Sequence, residues 1–272
     1  MVPKARSNSR GFALLIVLWA LVLLALIVTE LGTSGRMESK IARNLMANAE
    51  AETAADGAVH EAIFHLNNGP DPGWQADGGS RHMTVGPVPV DIRLEDEAGK
   101  VNPNVAGPDL LRSLLTVLGV DRNRTELITQ AILDWRGGTP PEQEPNIAAQ
   151  YQAAGKKYEP AFAPFESVED IGLVLGMTPD LAARLLPHMT VNQIGIFDPA
   201  RADPIVARAL AQMPASAAPS APGLPLAYRN ITITATARTA DGGRFTRRAL
   251  VRIGPGLPRG YAVLVWDAPG TV

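Results

Sequence analysis

The stretch GFALLIVLWALVLLALIVTELG, residues 11–32, decides the fold of this chain of 272 residues. Between Phe12 and Val28 it carries no charge, glycine or proline, and as a helix it is about 25 Å long, the low end of a membrane span. Three basic residues precede it: Lys4, Arg6 and Arg10. Basic flanks stay in the cytoplasm, so we predict one span over residues 12–30. A secretory signal would have a shorter apolar region and a small-residue cleavage site, which does not follow here.

A helical pattern without proline continues beyond the apolar stretch across residues 31–66. Apolar and small residues recur on one face of it: Ile41, Leu45, Ala51, Ala55 and Val59. Charged residues such as Glu52 and Asp56 occupy the other faces. The narrow small-residue face predicts a long amphipathic helix that lies close against a sheet or a neighbouring helix.

The basic leader, the Gly-Phe step, the apolar helix and its amphipathic extension together resemble type IV prepilin-like proteins. The resemblance implies that a prepilin peptidase cuts between Gly11 and Phe12, that residues 1–11 are removed as a cytoplasmic leader, and that Phe12 is N-methylated. Ile16 departs from the pattern, since most prepilins carry a glutamate there. That glutamate is expected to pair with the N-terminal amine of a neighbouring subunit. A subunit without it suits the first position, at the tip of a filament.

Two helix–turn–helix units are predicted within residues 101–190, with their turns at Gly119 and Gly176. Such paired units resemble the helix-hairpin-helix modules of membrane-anchored DNA receptors, which bind phosphate through backbone amides at a helix N-terminus. Asp121 and Thr178 stand where the second turn glycines of that motif would be, and a carboxylate repels phosphate. We therefore expect no nucleic-acid partner, and a membrane-anchored DNA receptor stays an alternative function.

The same block also resembles the K-type minor pseudopilins of type II secretion systems. The matching residues are DEAGKVNPNVA (96–106), AILDWR (131–136) and PFESVEDIGLVLGMTPDLAARLLPHMTV (164–191). The resemblance implies an α+β fold in which a pilin-like long N-terminal helix packs on an antiparallel sheet. A large all-α insertion, residues 101–190 with two helix-hairpin-helix-like (SAM-like) units, would interrupt a pilin-like domain formed by residues 67–100 and 191–272.

Alternating apolar residues predict the strands of that sheet. The residues from Val88 to Leu94 alternate with polar residues or proline, and Pro89 suggests an edge strand or an early strand position. Residues 231–237 and 245–253 alternate on either side of an Asp-Gly-Gly turn, which predicts a hairpin. Residues 260–266 would add a further strand.

The K-type resemblance implies a non-enzymatic subunit at the tip of the secretion pseudopilus. Such a subunit helps initiate assembly, supports export of folded proteins from the periplasm across the outer membrane, and is held in the bacterial inner membrane with its C-terminal domain in the periplasm. Implied partners are the I- and J-type minor pseudopilins, the major pseudopilin, the prepilin peptidase, the inner-membrane assembly platform and the lipid bilayer. Partner helices would contact one face of the first helix: Ile41, Leu45, Ala51, Ala55 and Val59. A minor pilin of a type IV pilus stays a further alternative.

Catalytic chemistry finds no support in the sequence. The chain has no cysteine, which excludes disulfides and thiol catalysis, and its net charge of −2 gives no general attraction to nucleic acid. His60 and His65 resemble a zinc-protease pair, but their spacing is one residue too long to place both on one helix face. His82 and His188 have no acidic partner evident in the sequence. We therefore predict no catalytic residue.

Calcium is the cofactor that the K-type resemblance implies. The family binds calcium in the inserted domain, through carboxylates in the loop after the Asp-Trp motif. Here that loop is RGGTPPEQEPN, residues 136–146. The candidate ligands, with the oxygen atoms that hard cations prefer, are Asp134, Glu142, Glu144 and Asn146. Gly137-Gly138 stands where the family tends to have aspartate, so an exposed acidic loop is the alternative.

Overall fold

The computed structural model describes residues 9–69, 72–193, 197–214 and 228–269. The α-helices are α1 Ser9–Asn67, α2 Pro108–Val117, α3 Arg122–Trp135, α4 Glu144–Ala153, α5 Pro179–Leu185 and α6 Pro204–Gln212. The strands are β1 Asp77–Val85, β2 Val88–Asp96, β3 Arg229–Arg238, β4 Arg244–Ile253 and β5 Tyr261–Asp267. Short 3-10 helices lie at Pro72–Trp74, Glu97–Gly99, Pro141–Gln143, Val168–Leu173, Leu186–His188 and Pro199–Arg201.

Helix α1 is 59 residues long and runs from the apolar stretch into the amphipathic one without a break. It contains no proline and is rich in leucine and alanine, which favour the helix. Its side chains are described over residues 12–26 and 37–67, and they are exposed up to Met46. From Ala47 onward one face is buried. The predicted continuous helix is thus confirmed, and only its C-terminal part carries the fold.

The strands form one antiparallel sheet in the order β1-β2-β3-β4-β5. The predicted hairpin is confirmed as β3 and β4. Strand β1, which was not predicted as a separate strand, pairs with β2. Since β3 covers the other side of β2, β2 is not an edge strand, and Pro89 is accommodated by its early position, before the pairing with β3 begins at Val90.

Small helix residues and β-branched strand residues build the core between α1 and the sheet. Ala51, Ala55 and Val59 are fully buried, and they pack with inward-facing strand residues such as Ile92 and Ile233. Alanine has no bulk beyond Cβ, so the helix can approach the sheet closely. This packing corrects part of the predicted partner surface: Ala51, Ala55 and Val59 are covered by the chain's own sheet and have no surface left for another subunit.

The segment between β2 and β3 folds as a helical domain with its own core. Gly119 and Gly176 turn the two predicted units with φ of 81° and 83°, the left-handed conformation that favours glycine. The second unit opens with the 3-10 helix Val168–Leu173 where an α-helix was expected. Helix α6 packs against α2 and buries Val206, so the helical layer runs beyond residue 190, the end predicted for it.

Candidate assembly interface

The described N-terminal part of α1 exposes apolar side chains on all sides. The exposed large ones are Phe12, Leu14, Leu15, Ile16, Val17, Leu18, Trp19, Leu21, Val22, Leu23, Leu24 and Leu26, followed by Met37, Ile41, Leu45 and Met46. Soluble monomers rarely expose contiguous apolar surface of this extent, so it indicates contact with lipid or with other apolar helices. Within the described part of the chain, no helix has an apolar stretch long enough to cross a membrane.

The predicted processing site and two of the five predicted contact residues lie in this N-terminal part of α1. Gly11 and Phe12 lie near the start of α1, which begins at Ser9. Residues 1–8 of the leader lie outside the described residues, and cleavage stays a prediction. Ile41 and Leu45 are 52% and 64% exposed, so both are accessible for the partner contact predicted for them, and that contact also stays a prediction.

A buried arginine fixes α1 to the sheet where the exposed surface ends. Arg247 of β4 is 8% exposed, and its guanidinium donates to Asp56 Oδ1 at 2.6 Å and to Glu52 Oε1 at 2.8 Å. The same guanidinium lies 5.2 Å from the ring centroid of Trp266. Burial lowers the pKa of Arg247, but the two carboxylates outweigh burial and leave the pKa raised. The charged clamp sets the position of α1 on the sheet and hence the direction of its exposed half.

A second buried carboxylate joins the helical domain to the end of β2. Asp96 is 6% exposed, and its Oδ2 accepts hydrogen bonds from Arg201 Nη1 at 2.7 Å and Arg229 Nη2 at 2.8 Å. Its Oδ1 accepts from the Ala98 amide and so caps the 3-10 helix that follows β2. One carboxylate therefore ties β2, the segment before α6, and β3 together.

Glu97, the neighbour of Asp96, lies inside the same junction between the sheet and the helical domain. It is buried, and its carboxylate accepts hydrogen bonds from Lys100 Nζ at 3.1 Å, from Thr232 Oγ1 at 2.7 Å and from Thr190 Oγ1. Burial lowers the pKa of Lys100, but Coulombic attraction to Glu97 and Glu95 outweighs burial and raises it. Because these polar groups are paired with one another, the junction is a structural joint between the two domains.

The two helix–turn–helix units are bound to each other at the positions where a DNA-binding module would hold phosphate. Asp121 Oδ1 accepts from the Arg124 amide at the start of α3, and Thr178 Oγ1 accepts from the Leu181 amide at the start of α5. The Arg124 guanidinium donates to Gly176 O at 3.0 Å and to Thr178 Oγ1 at 3.2 Å. The side chain of Arg124 is thereby engaged within the helical domain.

The candidate calcium ligands surround the end of α3 and the start of α4. Asp134 Oδ1 accepts hydrogen bonds from Thr139 Oγ1 at 2.5 Å and from Gln130 Nε2 at 2.9 Å. Glu142 and Asn146 are exposed. Among the residues that the structure describes, no group of three or more His, Cys, Asp or Glu side chains could hold a metal ion. Calcium binding stays a prediction.

The histidines have partners that sequence reasoning missed. His82 Nδ1 lies 2.5 Å from Asp91 Oδ1, directly across the β1–β2 pair, and His188 Nδ1 lies 2.8 Å from Asp203 Oδ2. The first pairing follows from the hairpin register, so recognition of β1 would have found it. His60 stacks on the ring of Trp266 and His65 on the ring of Trp74, so each of these imidazole rings makes its own aromatic contact.

A long helix packed on an antiparallel sheet, with a helical domain between two neighbouring strands, defines a pilin-like α+β protein with an all-α insertion. Residues 92–193, from β2 through α5, match the family described as "Type II secretion system (T2SS), protein K". The structure is similar to a chain of "The Crystal Structure of the GspK-GspI-GspJ complex from enterotoxigenic Escherichia coli Type 2 Secretion System", with a TM-score of 0.53 and 17% identity over 86% of this chain and 98% of that chain.

That structural likeness, at 17% identity, concerns the fold. No curated protein matches the sequence. The family match supports the resemblance of residues 92–193 to K-type minor pseudopilins of type II secretion, and the shared fold confirms the predicted fold class.

Proposed function

We propose that this protein is a non-enzymatic minor pseudopilin at the tip of a type II secretion pseudopilus. There it helps initiate assembly and supports the export of folded proteins from the periplasm across the outer membrane. The observation that carries the proposal is the helical domain between β2 and β3, which holds most of the residues matching protein K. A subunit with so large an addition to its pilin-like core is hard to stack between copies of itself and easy to place at an end.

In this proposal the first part of α1 anchors the protein in the bacterial inner membrane. The apolar side chains from Phe12 to Leu26 are exposed on all sides, as lipid contact requires. Prepilin peptidase would cut after Gly11 and leave Phe12 as the N-methylated terminus. Ile16 is exposed and offers no carboxylate for the N-terminal amine of another subunit, which is consistent with a subunit that need not dock beneath one.

The proposed partners are I- and J-type minor pseudopilins, with the major pseudopilin and the inner-membrane assembly platform below them. The similar crystal structure is of a complex described as GspK-GspI-GspJ, and that composition motivates the proposal for this chain. Apolar side chains exposed between the membrane segment and the sheet supply the contact surface: Met37, Ile41, Leu45 and Met46.

The test is purification of the tagged full-length protein from membranes of its own host. We expect I- and J-type subunits to co-purify, the N-terminus to be Phe12, and deletion of the gene to stop secretion. Leu45→Lys should remove the companions, because it places a charge on an apolar contact. Ser39→Lys, at an exposed position on another face of α1, should leave them bound. Absence of pilin-like companions, together with salt-dependent DNA binding by the protein, would instead identify a DNA receptor.

A further inference from the structure

The two edges of the sheet differ in how they are protected. Edge strands offer unpaired backbone N–H and C=O groups, and proteins usually blunt them with charges, bulges or glycine. Both edge strands contain a register shift, but β1 also has an Asp77–Arg81 ion pair and His82. Strand β1 is therefore protected against the addition of another strand.

Strand β5 has the sequence YAVLVWD and carries no charge before Asp267 and no proline. Val263, Leu264 and Val265 are between 40% and 42% exposed. Strand β4 pairs with one side of β5, and no strand among the described residues pairs with the other. An apolar, uncharged, open edge is the feature to which an extended segment adds by backbone hydrogen bonding.

An acidic cleft of about 500 Å³ adjoins this edge on the sheet face opposite α1. Val265 and Leu250 line it together with four carboxylates and two basic side chains: Glu95, Glu97, Glu166, Glu169, Lys100 and Arg248. Lys100 is bound to Glu95 and Glu97, and Arg248 is bound to Asp267. The hydrogen bond that Arg248 donates to Asp267, joined by Coulombic attraction to Glu169 and Glu97, raises the pKa of Arg248. The cleft thus has more negative than positive charge.

The register of β5 argues against a second copy of the same chain as the occupant of the edge. Val265 lies opposite Leu250 and Val263 opposite Val251, with Leu264 as the extra residue between them. Since Leu250 and Val251 are consecutive, Val263 and Val265 project to opposite faces. A full-length two-fold pair of β5 strands would be centred on Leu264 and would set Val263 of one copy against Val265 of the other. Directly opposed residues must project to the same face, so this pairing fails.

We propose that the free edge of β5 binds an extended apolar strand of a companion pilin-like subunit, and that a basic side chain of that strand enters the acidic cleft. The inference rests on the proposed function and adds where, and by which chemistry, a companion is held. It assigns this contact to β5, on the sheet domain, in addition to the exposed half of α1.

The test uses the full-length protein co-expressed with the I- and J-type subunits of its own host and extracted in mild detergent. Leu264→Lys should reduce the amount of co-purified companion by about tenfold or more, because the added charge would be buried at the strand pair. Thr84→Lys is the matched control on the other edge, where an exposed residue of β1 gains the same charge, and it should change nothing. Glu166→Lys should also weaken the complex, because it reverses a charge of the cleft.

Because the chain has no cysteine, Leu264→Cys gives a single reporter thiol. A maleimide should modify it about tenfold more slowly in the complex than in the protein alone. If the complex forms but Leu264→Lys behaves like Thr84→Lys and the thiol reacts equally in both states, this inference is overturned while the proposed function stands. Disulfide-linked homodimers of the Leu264→Cys variant would make a second copy the occupant and would also overturn it. If no companion binds at all, the proposed function fails as well.

Discussion

Substitution of Asp96 by asparagine removes the charge that joins the helical domain to the sheet. The two arginines that bind Asp96 lie 105 and 133 residues away from it in the sequence. Asparagine has nearly the same shape and can keep the cap on the Ala98 amide, so the change isolates the charge. It removes the carboxylate that Arg201 and Arg229 share, although Arg201 keeps its ion pair with Asp198.

The structure sets the expected size of the effect. Removal of one partner from a buried ion pair costs about 3–5 kcal/mol. The Arg201 and Arg229 side chains are 40% and 36% exposed, so water will partly solvate both guanidiniums in the variant. We therefore expect a loss of about 2–3 kcal/mol in the free energy of unfolding, or a fall in Tm of about 5–10 °C.

The assay is urea unfolding of the fragment that begins at Met37, which we expect to be soluble and folded. Trp135 reports on the helical core and Trp266 on the sheet. Asp77→Asn is the control, since the Asp77 side chain is 54% exposed and bound to one arginine, and it should cost less than about 1 kcal/mol. Equal losses of unfolding free energy in Asp96→Asn and Asp77→Asn would refute the reasoning. Residues that interact have non-additive effects on stability, so it would also be refuted if the losses from Asp96→Asn and Arg229→Gln simply summed in the double variant.

Gly11→Leu should block cleavage, because a bulky residue hinders entry of the backbone into a protease site. If N-terminal sequencing showed that the wild-type protein in its own host begins at Met1, the predicted cleavage would be contradicted. The pKa of Asp203 is lowered, because the hydrogen bonds from His188 and from the Val206 and Ile205 amides outweigh the raising effect of burial. Its contribution to stability is present above the unfolded pKa, about 3.9, and is lost as pH falls through the folded value. The stability difference between wild type and Asp203→Asn should therefore shrink as the pH falls below about 4, and a constant difference would contradict the assignment. If calcium binds after α3, millimolar calcium should raise the Tm and Glu142→Gln should reduce that rise, whereas equal Tm values in calcium and in EDTA would leave an exposed acidic loop.

The elements with a strong local pattern could be predicted from the sequence. The continuous α1 followed from its apolar and small-residue periodicity, and the β3–β4 hairpin from alternation around an Asp-Gly-Gly turn. Strand β1 was missed because Asp77, Gly78 and Gly79 open it with residues that favour turns. Its pairing with β2 overrides that local preference.

The small-residue face of α1 shows where sequence reasoning reaches its limit. A row of alanines fits a sheet and a neighbouring helix equally well, so Ala51 and Ala55 gave no means to separate this chain's own core from a partner. The contacts of Asp96 were equally inaccessible, because no periodicity links positions more than a hundred residues apart. Leu45 belongs to the same predicted face, but it is exposed because the burial of α1 begins only at Ala47.

The most direct test of the tip assignment is cross-linking through Leu45→Cys in the assembled secretion system of the host. The chain has no other cysteine, so each cross-link reports contact at the exposed half of α1. One arm carries matching cysteines on the companion pseudopilins, and the other carries the variant alone. The account predicts cross-links to unlike pilin-like subunits and no self-linked dimer, which is the one self-linked product that a single cysteine per chain can form. Self-linked dimers at full assembly would place copies of this protein next to one another along the filament and contradict its position at the tip.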